Sequence, residues 1–139
     1  MGMTVEADFA KAFRDHFDRY GGEAKPIVAG IYAAGHADSL LITKTGVFIP
    51  CEFKVWRNVA PPATWEQVHA LLDPRQANYI GRCWQRNGFV PVVAFNKIIP
   101  NYCHVISGGD KIVHTLEWQP FAMRLALGLL DRRNFGHSA

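Results

Sequence analysis

The sequence predicts an α/β fold with a central mixed β-sheet flanked by helices. Three observations carry that expectation. Helical periodicity at both ends of the chain encloses strand-like segments in the middle. A short "KTG" turn joins two extended runs, Asp38 to Thr43 and Val47 to Val55, as an antiparallel hairpin. A helix opening at "DPRQ" then separates that hairpin from the next apolar run, "FVPVVAF", and such interleaving of helices and strands belongs to α/β domains.

The elements follow in order. Thr4 caps a first helix that runs to about Tyr20, where "YGG" stops it. Val5, Phe9, Ala12, Phe13, Phe17 and Tyr20 form its apolar stripe, Glu6 projects near the edge of that stripe, and Arg14 lies mostly on another face. Ile27 to Tyr32 reads as a short strand or an extended approach to the hairpin. "RNVAPPATWEQ" is a Pro-rich loop suited to contacting substrate. Asp73 is the N-cap of the next helix, Pro74 takes its first position, and Gly88 stops it. "FVPVVAF", Tyr102 to Ile106 and Ile112 to Leu116 are strands, and Trp118 to Leu130 is a closing amphipathic helix. No repeat, low-complexity tract or composition break divides the chain, so residues 1–139 read as one domain.

Composition narrows the class. At 49% hydrophobic residues the chain is an ordinary globular sequence and not a disordered one. No apolar run is long enough to span a bilayer. "MGMTVEADF" lacks the basic and apolar regions of a signal peptide, and it has no Ser or Thr where N-myristoylation needs one. Cys51, Cys83 and Cys103 are far apart and form no CxxC pair, so neither a zinc ribbon nor a disulfide framework is indicated; a reducing cytoplasm is the simpler setting. The net charge is a mild +3, but Lys54, Arg57, Arg75, Arg82, Arg86 and Lys97 outweigh Glu66 and Asp73 within their segment. That tilt suits an anionic partner such as nucleic acid, and on charge alone it equally suits solvated helix faces.

The chemistry concentrates in "VFIPCEFKVWRN". Strand alternation sets Glu52 and Lys54 on one face, with Phe53 and Val55 on the other. Asp38 opens the preceding strand, and a short hairpin brings it close to Glu52 if the register allows. Two adjacent carboxylates repel unless a cation lies between them. Mg²⁺ takes one or two carboxylates plus water and phosphate oxygens. Lys54 then orients a water or stabilises charge developing on a phosphate. Carboxylate, carboxylate, lysine and metal together suit phosphodiester hydrolysis. The bland alternative is a cross-face ion pair on a half-exposed strand. Tyr32, Trp56, Arg57, Arg75, Arg82 and Lys97 are candidates for phosphate or base-stacking contacts with DNA. His36 reads as a turn histidine, while His104 and His114 lack zinc-ligand spacing and read as core or surface residues.

The arrangement resembles the PD-(D/E)XK nuclease superfamily, which has a restriction-endonuclease-like core. "GHADSLL" supplies Asp38, with Ala37 in place of the usual Pro, and "CEFK" supplies Glu52 and Lys54. Glu6 matches the first-helix glutamate of many members, and "DPRQANYI" matches a Gln followed by an aromatic with Gln76 and Tyr79. The later segment "RQANYIGRCWQRNGFVPVVAFN" looks like phage and bacterial Holliday-junction resolvases of the RecU type. Arg75 stands where those proteins often have His, and "KTG" replaces their long stalk insertion. The resemblance implies a Mg²⁺-dependent endodeoxyribonuclease, with Mn²⁺ as a substitute. Asp38 and Glu52 would hold the metal with the Phe53 carbonyl, Glu6 would assist, Lys54 would position water, and Gln76 would support Lys54. It further implies a homodimer acting on four-way or other branched DNA in the cytoplasm of a bacterial or phage-infected cell. Flap-directed or end-directed nucleases of the virus-type replication-repair group and restriction-type enzymes share the layout. A non-catalytic DNA-binding module of the same fold is the reading from another class.

Overall fold

The computed structural model describes residues 6–27, 37–108 and 110–135. The chain runs α1 (Glu6–Arg19), β1 (Glu23–Pro26), β2 (Ser39–Ile42), β3 (Phe48–Trp56), α2 (Trp65–His69), α3 (Pro74–Gln85), β4 (Val92–Asn96), β5 (Tyr102–Ile106), β6 (His114–Glu117) and α4 (Trp118–Ala126). Among the described residues the strands form one six-stranded sheet in chain order. Neighbours are antiparallel except β3 and β4, which run parallel. A parallel pair needs a long crossover, and here α2 and α3 provide it. The result is the α/β architecture with a mixed, helix-flanked sheet that the sequence predicts.

Strand alternation divides the core between the two faces of the sheet. Ile49, Cys51, Phe53 and Val55 of β3 pack with Phe9, Phe13 and Phe17 of α1 and with Trp118, Phe121 and Leu125 of α4. Trp56, Val92, Ala94 and Ile106 face the other way, against Val68 and Leu72 in and after α2 and Ile80 of α3. Phe95 lies at the centre of the first cluster, its ring 4.8 Å from that of Phe9 and 5.6 Å from that of Phe53.

Several boundaries differ from expectation, for physical reasons. A strand the sequence did not predict, Glu23–Pro26, pairs with β2; the expected segment Ile27 to Tyr32 lies, beyond Ile27, outside the described residues, as do Thr4, Val5 and His36. The sequence "EAKP" has no β-branched residue, so only pairing with β2 makes it a strand. The chain reverses into β1 through Gly21 at φ +90, and Asp18 Oδ1 accepts the Ala24 N–H at 2.8 Å. The Pro-rich loop ends earlier than expected, because Trp65–His69 is helical. Thr64 and Gln67 form a capping box there, a pattern that favours helix over loop. β4 starts three residues later than expected, at Val92–Asn96, and β6 is shifted by one or two, to His114–Glu117. The closing helix ends at Ala126, four residues short of Leu130, with Gly128 at φ +77 just beyond. Tyr20, expected on the buried stripe, is exposed at the end of α1.

Candidate active site

The site forms at the mouth of the hairpin. Ser39 pairs with Cys51, and one further step of the same register sets Asp38 opposite Glu52. The Asp38 N–H donates to Glu52 Oε1 at 3.0 Å, and the Phe53 N–H donates to Asp38 Oδ2 at 3.2 Å. Each strand's backbone thus grips the other strand's carboxylate. The remaining oxygen, Asp38 Oδ1, is buried and accepts no hydrogen bond among the described residues.

Glu52 lies on the α2/α3 face and is only 1% exposed. Its Oε2 accepts a hydrogen bond from Gln76 Nε2 at 3.0 Å, and Lys54 Nζ lies 3.7 Å from the same oxygen. Gln76 reaches Glu52 because of how α3 begins. Asp73 caps the helix, its Oδ1 accepting the Gln76 N–H at 2.9 Å, while Gln76 Oε1 accepts the Asp73 N–H at 3.1 Å. A backbone N–H can bond only the oxygen of an amide, so the cap leaves the Gln76 amino group facing Glu52. Gln76 and Lys54 thus approach the same carboxylate oxygen, and the hydrogen bond of Gln76 goes to Glu52.

Burial pushes the Glu52 carboxyl well above the usual range, and Asp38 and Glu6 raise it further against the opposing pull of Lys54. Asp38 is raised too, first by burial, with Glu6 adding to it; the Phe53 N–H, Ser39 and Arg14 oppose the shift. Glu6 is raised by burial and held down in part by Lys54 and Arg57. Burial is the largest cause of all three shifts, with mutual repulsion of the carboxylates adding to those of Asp38 and Glu52. Lys54 has only 17% of its side chain exposed and is the ammonium closest to the pair.

Other expected residues separate into groups. Glu6 lies within electrostatic reach of both carboxylates, yet among the described residues no three His, Cys, Asp or Glu side chains converge as a metal-binding group. Arg57, Arg75, Arg82 and Lys97 are all exposed. The Lys97 N–H donates to the Trp56 carbonyl at 2.9 Å, so Arg57 and Lys97 leave neighbouring parallel strands at the same end of the sheet. Trp56 differs from expectation: it is 6% exposed, and its Nε1 donates to the Ala60 carbonyl at 2.9 Å. It anchors the loop that follows β3 and presents no stacking face. Tyr32 lies outside the described residues.

Two features escaped the sequence reading. Arg14, expected off the apolar stripe of the first helix and given no part in the site, donates from Nη1 to Ser39 Oγ at 3.0 Å, and its charge acts on Asp38. Its spacing of eight from Glu6, about two helical turns, was the available signal. The second is a buried chain of hydrogen bonds behind Trp56. Asn96 Oδ1 accepts the N–H groups of Ile98 and Ile99, both at 2.9 Å, so its Nδ2 donates to His104 Nε2 at 3.0 Å. His104 Nδ1 therefore carries the proton and donates to Thr115 Oγ1 at 2.9 Å. No spacing in the sequence links these three positions.

A hard divalent cation fits the donors present. Asp38 Oδ1 is a buried acceptor that accepts no hydrogen bond among the described residues, two carboxylates are held together against their repulsion, and all the candidate ligands are oxygens.

No family model and no curated protein matches the sequence. In three dimensions the chain is similar to Hjc of Archaeoglobus fulgidus, a Holliday junction resolvase from an archaeal hyperthermophile, at 11% sequence identity. The superposition covers 89% of this chain and 99% of that one with a TM-score of 0.48. The functional reading rests on the site itself.

Proposed function

We propose that this protein is a Mg²⁺-dependent endodeoxyribonuclease that hydrolyses phosphodiester bonds. The carrying observation is the buried Asp38–Glu52 pair, with one Asp38 oxygen unsatisfied among the described residues and with Lys54 and Gln76 both at Glu52 Oε2. A structural ion pair would not need the second carboxylate, whose repulsion it would have to overcome. Asp38, Glu52 and the Phe53 carbonyl would hold the ion, with Mn²⁺ as a substitute. Bound there, the ion supplies Lewis-acid polarisation of the scissile phosphate and lowers the pKa of a water.

The chain's own residues do the rest. Gln76 fixes the rotation of the Glu52 carboxylate by holding Oε2. Lys54 projects from β3 beside that oxygen, where its ammonium orients the attacking water and offsets charge on the phosphorane-like transition state. Arg14 steadies the Asp38 side through Ser39. Glu6 supplies a further carboxylate for water at the edge of the site. Arg57 and Lys97 at the end of the sheet, with Arg75 and Arg82 on α3, offer phosphate contacts that carry no sequence information. A backbone-gripping enzyme of this kind suits a substrate defined by shape, and the substrate proposed is branched DNA, the four-way junction first. A homodimer would present two sites to its symmetric strands.

The test is cleavage of labelled four-way junctions, flaps and linear duplexes in Mg²⁺, in Mn²⁺ and in EDTA. Wild type is expected to cut a branched substrate only with the cation, and Glu52→Ala and Lys54→Ala are expected to be inactive. Cutting by these variants at the wild-type rate would show the site to be wrong. Cutting confined to linear DNA would remove the junction reading and leave the nuclease reading intact.

A further inference from the structure

The tip between β4 and β5 is a surface whose build the proposed chemistry leaves unexplained. Residues 97–101 reverse the chain between two antiparallel strands, and hydrogen bonds fix successive steps of that reversal. Asn96 Oδ1 accepts the N–H groups of Ile98 and Ile99, both at 2.9 Å. The Trp56 carbonyl accepts the Lys97 N–H at 2.9 Å, and the Tyr102 N–H donates to the Ile99 carbonyl at 3.0 Å. Trp118 Nε1 donates to the Pro100 carbonyl at 3.0 Å. Behind the tip, Asn96 is held by His104 and His104 by Thr115. Asn96 and His104 are both buried. A buried polar chain that is fully bonded rigidifies what it holds.

What this fixed tip presents is apolar. Ile98 and Ile99 are 48% and 51% exposed. The N–H groups of residues 97–99 are all engaged and Pro100 has none, so the tip offers a ligand side chains and not a backbone anion site. Lys97 adjoins the two isoleucines, and Arg57 leaves the neighbouring strand at the same end of the sheet; both are exposed. Residues 57–64 and 96–101 contain no Asp or Glu. Aliphatic side chains beside cations match an opened duplex, in which the apolar groups enter a base step and the cations meet phosphates. The tip is also continuous with the site. Trp56, whose carbonyl holds Lys97, lies on β3 beyond Glu52, roughly 13 Å along the strand.

We propose that Ile98 and Ile99 form a wedge that enters the opened base step at a DNA branch point, with Lys97 and Arg57 on the flanking phosphates. The inference rests on the nuclease reading and gives it a means of selecting shape. Unstacking a base costs free energy, and it costs least where pairing is already broken. The wedge therefore favours a branch over a continuous duplex without reading a base edge. Asn96 and His104 act as positioning residues, because a tip free to move would yield before it parted the bases.

The test is the fluorescence of 2-aminopurine placed either at the branch of a four-way junction or in the middle of one arm. It is read with the full chain at saturation and in EDTA, so the signal does not depend on cleavage. Wild type is expected to raise the branch signal by about two-fold or more and to leave the arm signal unchanged. The double variant Ile98→Ser/Ile99→Ser is expected to lose that rise at saturation. Both positions are exposed, so circular dichroism should show it folded. Lys97→Ala is expected to keep the rise at saturation while weakening junction binding and reducing its salt slope by about one. A wild type that leaves the branch signal flat would overturn the proposal, as would a rise retained by the double serine variant. A wild-type dimer that the double variant loses, with no fluorescence change in either, would assign the tip to a contact between copies and overturn it too. A rise at the branch that depends on the isoleucines, in a protein that cuts no DNA with Mg²⁺, would support the wedge and count against the nuclease reading alone.

Discussion

The two faces of the sheet differ in what they bury. Under α1 and α4 lies a dry aromatic core, in which Phe9, Phe13, Phe53, Phe95 and Phe121 are 2% exposed or less. Under α2 and α3 the apolar cluster is smaller, and the buried polar side chains Glu52, Asn96 and His104 share that face. β3 belongs to both: Phe53 anchors one face, and Glu52 and Lys54 arm the other. One strand therefore holds the Glu52–Lys54 pair with the aromatic core behind it. The cost of burying carboxylates is borne on the face with less packing to lose.

The comparison can be broken on the aromatic side first. Phe95→Ala removes the ring stacked on Phe9 and Phe53, and its expected cost is about 3–5 kcal/mol in urea unfolding. A cost under about 1 kcal/mol would show that this face is not where stability resides. On the polar side, Glu52→Gln keeps the shape and removes a buried ionisable carboxyl. Cleavage is expected to fall by about 10²-fold or more, while the melting temperature measured without divalent cation stays level or rises. A lower melting temperature with activity retained would reverse the assignment of the two faces.

Proton linkage separates the polar groups from one another. Burial lowers His104 to about 4 from its ordinary 6.5. Between those values the unfolded chain binds the proton and the folded chain does not. The stability that His104 contributes is full above about pH 6.5 and is lost as pH falls toward 4. Asp38 and Glu52 have the opposite sign, since raised carboxylates contribute stability at low pH that is lost as pH rises through their folded values. The difference between wild type and His104→Gln, followed by urea unfolding across pH 4–7, isolates the histidine, with an expected span on the order of 2 kcal/mol. A flat difference would show that His104 is not held neutral by burial.

The smallest effect concerns Gln76. Gln76→Ala removes the donor to Glu52 Oε2. By analogy with the partners that orient metal ligands, it should weaken Mn²⁺ binding by about ten-fold in calorimetry. Unchanged affinity would make Gln76 a helix-capping residue alone.

Sequence and structure contributed to these faces unequally. Periods of two and of 3.6 residues act within a few positions, so they sufficed to place Glu52 and Lys54 together, to oppose them to Phe53 and Val55, and to begin α3 at Asp73 and Pro74. The same short range made β1 illegible, because its residues have little strand propensity, and it sent Trp56 to the surface, because alternation identifies a face without saying what covers it. Only the tertiary structure decided the rest. The hairpin register set Asp38 against Glu52, the β3–α3–β4 crossover brought Gln76 onto the same carboxylate, and three separate strands joined Asn96, His104 and Thr115. Such contacts span tens of residues and are selected by burial and by the satisfaction of polar groups across the whole sheet, information that no local stretch of the chain contains.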